Sequence, residues 1–174
     1  MRQGDWMQTV SGQKFWPIDP KPEEIHLEDI AHALSMMCRF NGHCKWFYSV
    51  AEHSVYVCDL LEPKHKKWGL LHDASEAYIA DIVRPAKRFI DGYKPLEYKI
   101  MAAVRKRFDL DPIEPWQVKD ADNAILADEA DQVMGKRPDD WKLPCLPSGT
   151  VIMGLTPSKA KQLFLDRAVE IGLV

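Results

Sequence analysis

Apolar positions follow a helical rhythm along most of the chain. Leu27, Ile30, Ala31, Leu34 and Cys38 fall at i, i+3, i+4 and i+7 spacing, one face of an amphipathic helix that Asn41-Gly42 closes. The same reasoning predicts further helices over about residues 45–61, 66–80, 95–108, 115–135 and 158–171. Pro63 stops the second, and the Arg84-Pro85 step follows the third. Pro95 and Pro115 suit first helical turns, where a missing N–H costs nothing. Thr156 is a suitable N-cap for the last helix.

Two stretches break this rhythm. Residues 1–24 read as an irregular lead-in with one hairpin, its turn at Ser11-Gly12 between residues 7–10 and 14–16. Pro17, Pro20 and Pro22 exclude a helix there. Residues 136–154 hold three prolines and two glycines and read as a loop excursion. No internal repeat is visible. The expected fold is all-α, a single domain over residues 1–174 built from about six helices.

Composition narrows the possible functions. At 174 residues the chain suits one domain, and a domain of this size buries roughly 70% of its unfolded surface without metal or disulfide staples. With 46% hydrophobic and 28% charged residues, disorder is not expected. The 23 basic and 26 acidic residues leave a net charge of −3, which argues against a nucleic-acid polymer as partner. No apolar run reaches membrane-spanning length and no signal-peptide pattern opens the chain, so no membrane partner is expected and the expected compartment is the cytoplasm. Cys38, Cys44, Cys58 and Cys145 are too scattered for a disulfide scaffold, and Cys38, His43 and Cys44 lack the second ligand pair of a zinc knuckle.

Charge is uneven. Residues 84–107 carry eight Lys/Arg against two acids, and residues 108–140 carry three against ten. Most such runs are solvated helix surface. A basic segment beside an acidic one also suits a site holding a cation and a phosphate together.

The stretch Leu70-Leu71-His72-Asp73-Ala74-Ser75-Glu76-Ala77 is the most informative. A His-Asp pair inside an apolar helix is odd on packing grounds, because an ionised Asp is rarely buried unless paired or bound to metal. Glu76 lies four residues after His72 and three after Asp73, so all three can share one helical face. His53 sits among apolar neighbours in the second predicted helix, and Asp122 lies early in the fifth. Two imidazoles and two carboxylates from three helices suit one borderline divalent ion such as Zn, Mn, Co or Fe. Singly, each residue is more often structural; the order H…HD…D with a following Glu is much more specific.

In that order the sequence resembles the HD-domain metal-dependent phosphohydrolases, over roughly residues 29–134. It is most similar to their compact bacterial and prophage 5′-nucleotidase branch, through Arg39-Phe40-Asn41-Gly42-His43, Phe47 to Val55, His72 to Tyr78 with Asp81, Pro85-Ala86-Lys87, and Val118 to Asp122. Phage dATP triphosphohydrolases share the same skeleton. Ala74-Ser75-Glu76-Ala77 departs from the Glu-Asp pair of ppGpp hydrolases, and Asp91-Gly92-Tyr93-Lys94 departs from the Gly-Tyr-Pro of cyclic-di-GMP phosphodiesterases.

The resemblance implies His53, His72, Asp73 and Asp122 as ligands of one divalent metal, with Asp73 and Glu76 catalytic. Glu76 would orient or deprotonate the attacking water or assist the leaving group. It further implies Arg39, Lys87 and Lys119 as phosphate partners, Asp81 on a sugar hydroxyl and Phe40 against the sugar or base. His43 would reach the phosphate or cap its turn. A homo-oligomer is expected on the same ground. His26, His32 and His65 have no constellation around them, and Trp46, Phe47, Tyr48 and Trp68 read as core at helical spacing. The expected reaction is hydrolysis of a deoxynucleoside 5′-monophosphate. The alternatives are a deoxynucleoside triphosphate triphosphohydrolase releasing tripolyphosphate, a non-catalytic nucleotide-binding module, and a purely structural bundle.

Overall fold

Residues 2–174, described in a computed structural model, form eight α-helical segments and one small hairpin. The hairpin pairs β1 (Met7–Gln8) with β2 (Lys14–Phe15), Met7 opposite Phe15. The helices are α1 (Leu27–Met36), α2 (Val50–Asp59), α3 (Lys66–Leu71), α4 (Glu76–Ile79), α5 (Arg84–Lys87), α6 (Tyr93–Phe108), α7 (Trp116–Gln132) and α8 (Pro157–Glu170). Six of these have six residues or more; α4 and α5 are single turns. No helix among the described residues is long and apolar enough to cross a membrane.

Four boundaries differ from the sequence expectation. The first helix ends at Met36 and not at Asn41-Gly42: Met37 is extended, Cys38 bridges to Ser49, and Arg39–Gly42 form a separate 3₁₀ turn. The second helix starts at Val50 rather than near residue 45, because Ser49 takes the N-cap and its hydroxyl accepts the Glu52 N–H at 3.1 Å. The third predicted helix splits. Residues 72–75 form a tight turn in which Ala74 and Glu76 donate to the carbonyls three residues back. The His-Asp pair therefore sits at a helix junction and not in mid-helix. The Arg84-Pro85 step opens α5 instead of only breaking the chain, since proline is tolerated in a first turn.

Helix α2 is the hub, packed against α1, α3, α7 and α8. The main core joins the hairpin to α1, α2, α3, α6 and α8 through Phe15, Ile30, Leu34, Val55, Leu70, Leu71, Val104 and Phe164. Burying each such side chain contributes about 1.5–3 kcal/mol. Phe15 stacks on Tyr78 at 3.9 Å between ring centroids, and buried Asp29 accepts Ser11 N–H and Oγ–H, each at 2.8 Å. Those contacts fasten the lead-in to the bundle. A second cluster, with Val57, Trp68, Val118 and Ile125, seats α7 against α2 and α3.

Gly69 sets how closely α3 approaches α2. A Cβ there would lie 2.3 Å from Leu61 Cδ1 and 3.1 Å from the Cys58 backbone. The excursion after α7 has no regular structure but is firmly tied. Asp128 accepts Ser148 and Gly149 N–H at 3.0 and 2.9 Å, and fully buried Glu52 accepts Met153, Gly154 and Leu155 N–H at 3.1, 2.9 and 2.7 Å.

A candidate metal centre between α2, α7 and the 72–75 turn

His53 leaves the middle of α2 and is fully buried. The close packing at Gly69 brings the turn after α3 to it, so that His53 Nε2 and His72 Nε2 lie 3.3 Å apart. Asp122, on the second turn of α7, places Oδ1 3.4 Å from His53 Nε2. Asp73 Oδ2 lies 3.2 Å from His72 Nε2 and 3.8 Å from His53 Nε2. One ligand atom from each of His53, His72 and Asp122 falls within 4.8 Å of the other two.

The outer nitrogens decide what the inner ones can do. His72 Nδ1 donates to the Gly69 carbonyl at 2.7 Å, and His53 Nδ1 donates to Glu129 Oε1 at 2.7 Å. With Nδ1–H fixed on both rings, each Nε2 presents a lone pair to the other and to two carboxylates. Acceptors gathered in this way repel unless a cation or a proton lies between them; His53, His72 and Asp122 form the tight set, with Asp73 at its edge. Imidazoles oriented by a carbonyl or carboxylate behind them are the usual setting of a metal-ligating histidine. The donor set therefore fits a divalent cation.

The ionisation pattern agrees. Burial opposes a charged His72, but Asp73 and Asp122 outweigh it and hold the imidazole up at about 9. Burial would raise Asp73, yet His72 and His53 keep it well below the usual carboxylate range. Asp122 is depressed against its burial in the same way, by His53 and His72 with help from Lys119.

Glu76 behaves oppositely. It opens α4 one tight turn after Asp73, is 4% exposed, and has Oε1 3.1 Å from Lys87 Nζ. Its Oε2 is buried with no hydrogen-bond partner. Burial first, and then the Asp73 and Asp81 charges, push its carboxyl well above the ordinary range. Lys87 opposes that rise, and a carboxyl so raised beside the cluster is placed for acid–base work.

All of the expected substrate residues line one cleft of about 1160 Å³ beside this cluster: Arg39, Phe40, His43, Asp81, Lys87 and Lys119. Their commitments differ. Arg39 is buried, donating through Nη2 to Glu129 Oε2 at 2.9 Å, with Nε a further 2.9 Å ion-pair contact to Oε1 outside hydrogen-bond geometry. Lys87 bridges Glu76 and Glu97, at 3.1 and 2.9 Å. Lys119 meets Asp122 Oδ2 at 2.6 Å, the same oxygen that half-exposed Arg84 reaches at 2.6 Å. Phe40 and Asn41 adopt left-handed backbone at φ 55° and 52°, ahead of Gly42 at 80°. Ala80, at φ 69° and ψ 155°, occupies a region normally left to glycine just before Asp81. Strain of about 1–3 kcal/mol per such residue marks both segments that carry cleft residues.

Two groups, one buried and one half-exposed, escaped the sequence reading. Glu129 is fully buried between His53 and Arg39, which outweigh its burial and keep it ionised below the ordinary range. Its signal was the seven-residue spacing from Asp122, two turns along the same face of α7; within an acidic run it passes for solvated surface. Arg84 was noted only as the residue before a proline. Of the four aromatics read as core, Tyr48 and Trp68 are buried, whereas Trp46 is 44% exposed because residues 45–49 are not helical.

No protein-family model matches the chain. It is 36% identical over 165 residues to the uncharacterized protein YfdR of Escherichia coli K12, with 93% of each chain covered. An uncharacterized protein of Rhodobacter capsulatus is 34% identical over 187 residues, again with 93% of each covered. Fold and site together define a mainly helical protein with a buried His/Asp cluster able to hold a metal ion. The chain belongs to the family that includes YfdR.

Proposed function

We propose that the protein is a metal-dependent phosphohydrolase of the HD-domain type, cleaving the 5′-phosphate ester of a nucleotide, in the first instance a deoxynucleoside 5′-monophosphate. The observation that carries this reading is the meeting of His53 Nε2, His72 Nε2 and Asp122 Oδ1, with Asp73 Oδ2 3.2 Å from His72 Nε2 and the buried Glu76 carboxyl one tight turn on.

These four residues would hold one divalent ion from the Co, Mn, Zn and Fe group. Such an ion lowers the pKa of a bound water and polarises a phosphoryl oxygen. The remaining work belongs to the chain. Glu129 and the Gly69 carbonyl fix both imidazoles with their Nε2 lone pairs inward. Arg84 and Lys119 place positive charge at the Asp122 edge of the cleft, where phosphate charge needs compensation. Glu76, held by Lys87, gives its proton to the departing sugar oxygen. Asp81 and Phe40, on the two strained segments, frame the sugar.

A panel of nucleoside mono-, di- and triphosphates with Mn²⁺, Co²⁺ or Zn²⁺, assayed for both phosphate and tripolyphosphate, tests the reading. Phosphate released from deoxynucleoside monophosphates is the expected result. Tripolyphosphate from deoxynucleoside triphosphates would move the substrate assignment to that class. No product from any nucleotide with any of the metals would overturn it.

A further inference from the structure

The cleft has a charged end and an apolar end. Lys119, Asp122 and Leu126 line it from successive turns of α7, and Met134 lines it just past the helix. At about 1.5 Å per residue, Leu126 lies ~6 Å beyond Asp122 along the axis and the helix end at Gln132 about 15 Å beyond it. The loop bearing Phe40 is drawn to this same end, because Lys45 N–H donates to the Val133 carbonyl at 2.7 Å and Arg39 grips Glu129.

Residues 136–147 close the apolar end from outside. The segment leaves α7 beside the Lys45–Val133 contact and is caught again where Asp128 holds Ser148 and Gly149. Gln132 holds the following stretch, donating to the Thr150 carbonyl at 2.7 Å and accepting Ile152 N–H at 3.0 Å. Between these anchors Trp141 N–H donates to the Pro138 carbonyl at 3.1 Å, forming a turn that places Trp141 on the cleft wall. Trp141 is half-buried while Asp139, Asp140 and Lys142 around it are exposed. It belongs to none of the three buried apolar clusters among the described residues. It lines both the cleft and a smaller hollow bounded by Lys45 and residues 135–147, without serving the core.

Four Phe, Tyr or Trp side chains line the cleft: Phe40, Trp68, Tyr98 and Trp141. The Arg39 guanidinium lies over the Phe40 ring at 5.0 Å, and that of Arg105 over Tyr98 at 5.1 Å. Trp68 is buried and donates Nε1–H to the Asp111 carbonyl at 3.2 Å. Among the described residues, Trp141 alone of the four has neither a cation over its ring nor a place in the core. A ring with no cation over it, on the wall of a cleft whose other end carries Arg84 and Lys119 beside the Asp122 cluster, matches a ligand with a phosphate at one end and an aromatic base at the other.

We infer that Trp141 is a specificity-determining residue, stacking on the base of a nucleotide whose phosphate lies at the Asp122 edge. The inference rests on the phosphohydrolase reading for the phosphate end. Stacking is tolerant of base identity, because every base has a π-face. Trp141 thus selects nucleotides over base-free sugar phosphates rather than one base over another.

The test compares Trp141→Ala and Trp141→Phe with the wild-type chain, all loaded with Mn²⁺. Kd is measured by calorimetry for deoxyadenosine 5′-monophosphate and for 2-deoxyribose 5-phosphate, and phosphate release from the nucleotide is followed in parallel. Trp141→Ala is expected to weaken the nucleotide about tenfold and leave the sugar phosphate unchanged, with Trp141→Phe within about threefold of wild type. Equal weakening of both ligands, or of neither, overturns the inference. Trp141-dependent nucleotide binding without phosphate release would support stacking and remove the phosphohydrolase reading. Release of phosphate at wild-type affinity in Trp141→Ala would do the reverse. A wild-type chain that binds no nucleotide would overturn both.

Discussion

Glu52 and His53 are consecutive residues of α2, both fully buried and both polar, yet their surroundings have opposite character. Around Glu52 an acceptor meets donors: three backbone N–H groups of residues 153–155 and the Tyr56 hydroxyl at 2.8 Å. Around His53 Nε2 acceptors meet acceptors, from His72, Asp122 and Asp73. The first arrangement is complete within the chain and fastens the excursion to the bundle. The second has no such donor between its inner atoms and could hold a metal ion there. Burial of a charged group is thus no sign of chemistry in itself; the sign of its partners separates a structural tie from a site.

The sharpest break of this comparison comes from the acceptor side. Asp73→Ala is expected to lower phosphate release further than any other change considered, beyond the ~10²–10⁴ that acid–base help is worth. Circular dichroism should remain that of the wild type, since Asp73 lies on a turn and is 22% exposed at its side chain. Retained turnover would remove Asp73 from the ligand set. Next comes Glu76→Gln, which keeps the shape but not the acid. A rate loss of about 10²–10⁴ with metal content unchanged is expected, read from kcat at saturating nucleotide. If kcat were untouched, Glu76 would be only a partner of Lys87.

On the structural side, Glu52→Ala leaves three backbone donors of residues 153–155 unpaired. A stability loss of about 3 kcal/mol in urea unfolding is expected, with metal affinity unaltered in the folded fraction. Loss of metal without loss of stability would invert the roles assigned to the two sides of α2. The smallest effect belongs to Glu129→Gln, which keeps a hydrogen-bond acceptor for His53 but removes the charge opposite Arg39. Metal affinity should fall about 10–100-fold, the usual range for a partner behind a ligand, while the ligands themselves stay in place. An unchanged affinity would make Glu129 a counter-ion of Arg39 alone.

How far the sequence reached follows from the range of its signals. The hairpin, α1, α6, α7 and α8 were legible because apolar periodicity, proline positions and turn residues act within a few residues. His53, His72 and Asp73 stood out as polar residues among apolar neighbours, and Asp122 by its place in the H…HD…D order. The break at residues 72–75 was not legible, since Leu70 to Tyr78 reads as unbroken helix and only packing against α2 and the hairpin turns it. Glu129 looked like one acid among ten until α7 was set against α2. Arg39 read as a phosphate partner, whereas its guanidinium is held by a residue ninety positions away. Trp141 carried no local signal at all, because its place on the cleft wall depends on anchors on α7 and α2.

Whether the acceptors of His53, His72 and Asp122, with Asp73 beside them, make one cation site is decided by metal stoichiometry. The purified chain is stripped with chelator, reloaded with Co²⁺ and dialysed, and bound metal is counted for the wild type and for His72→Ala, with circular dichroism to verify that both are folded. Close to one ion per wild-type chain is expected, with none retained by His72→Ala. A folded wild type that retains no metal, or a His72→Ala variant that retains as much, would contradict it.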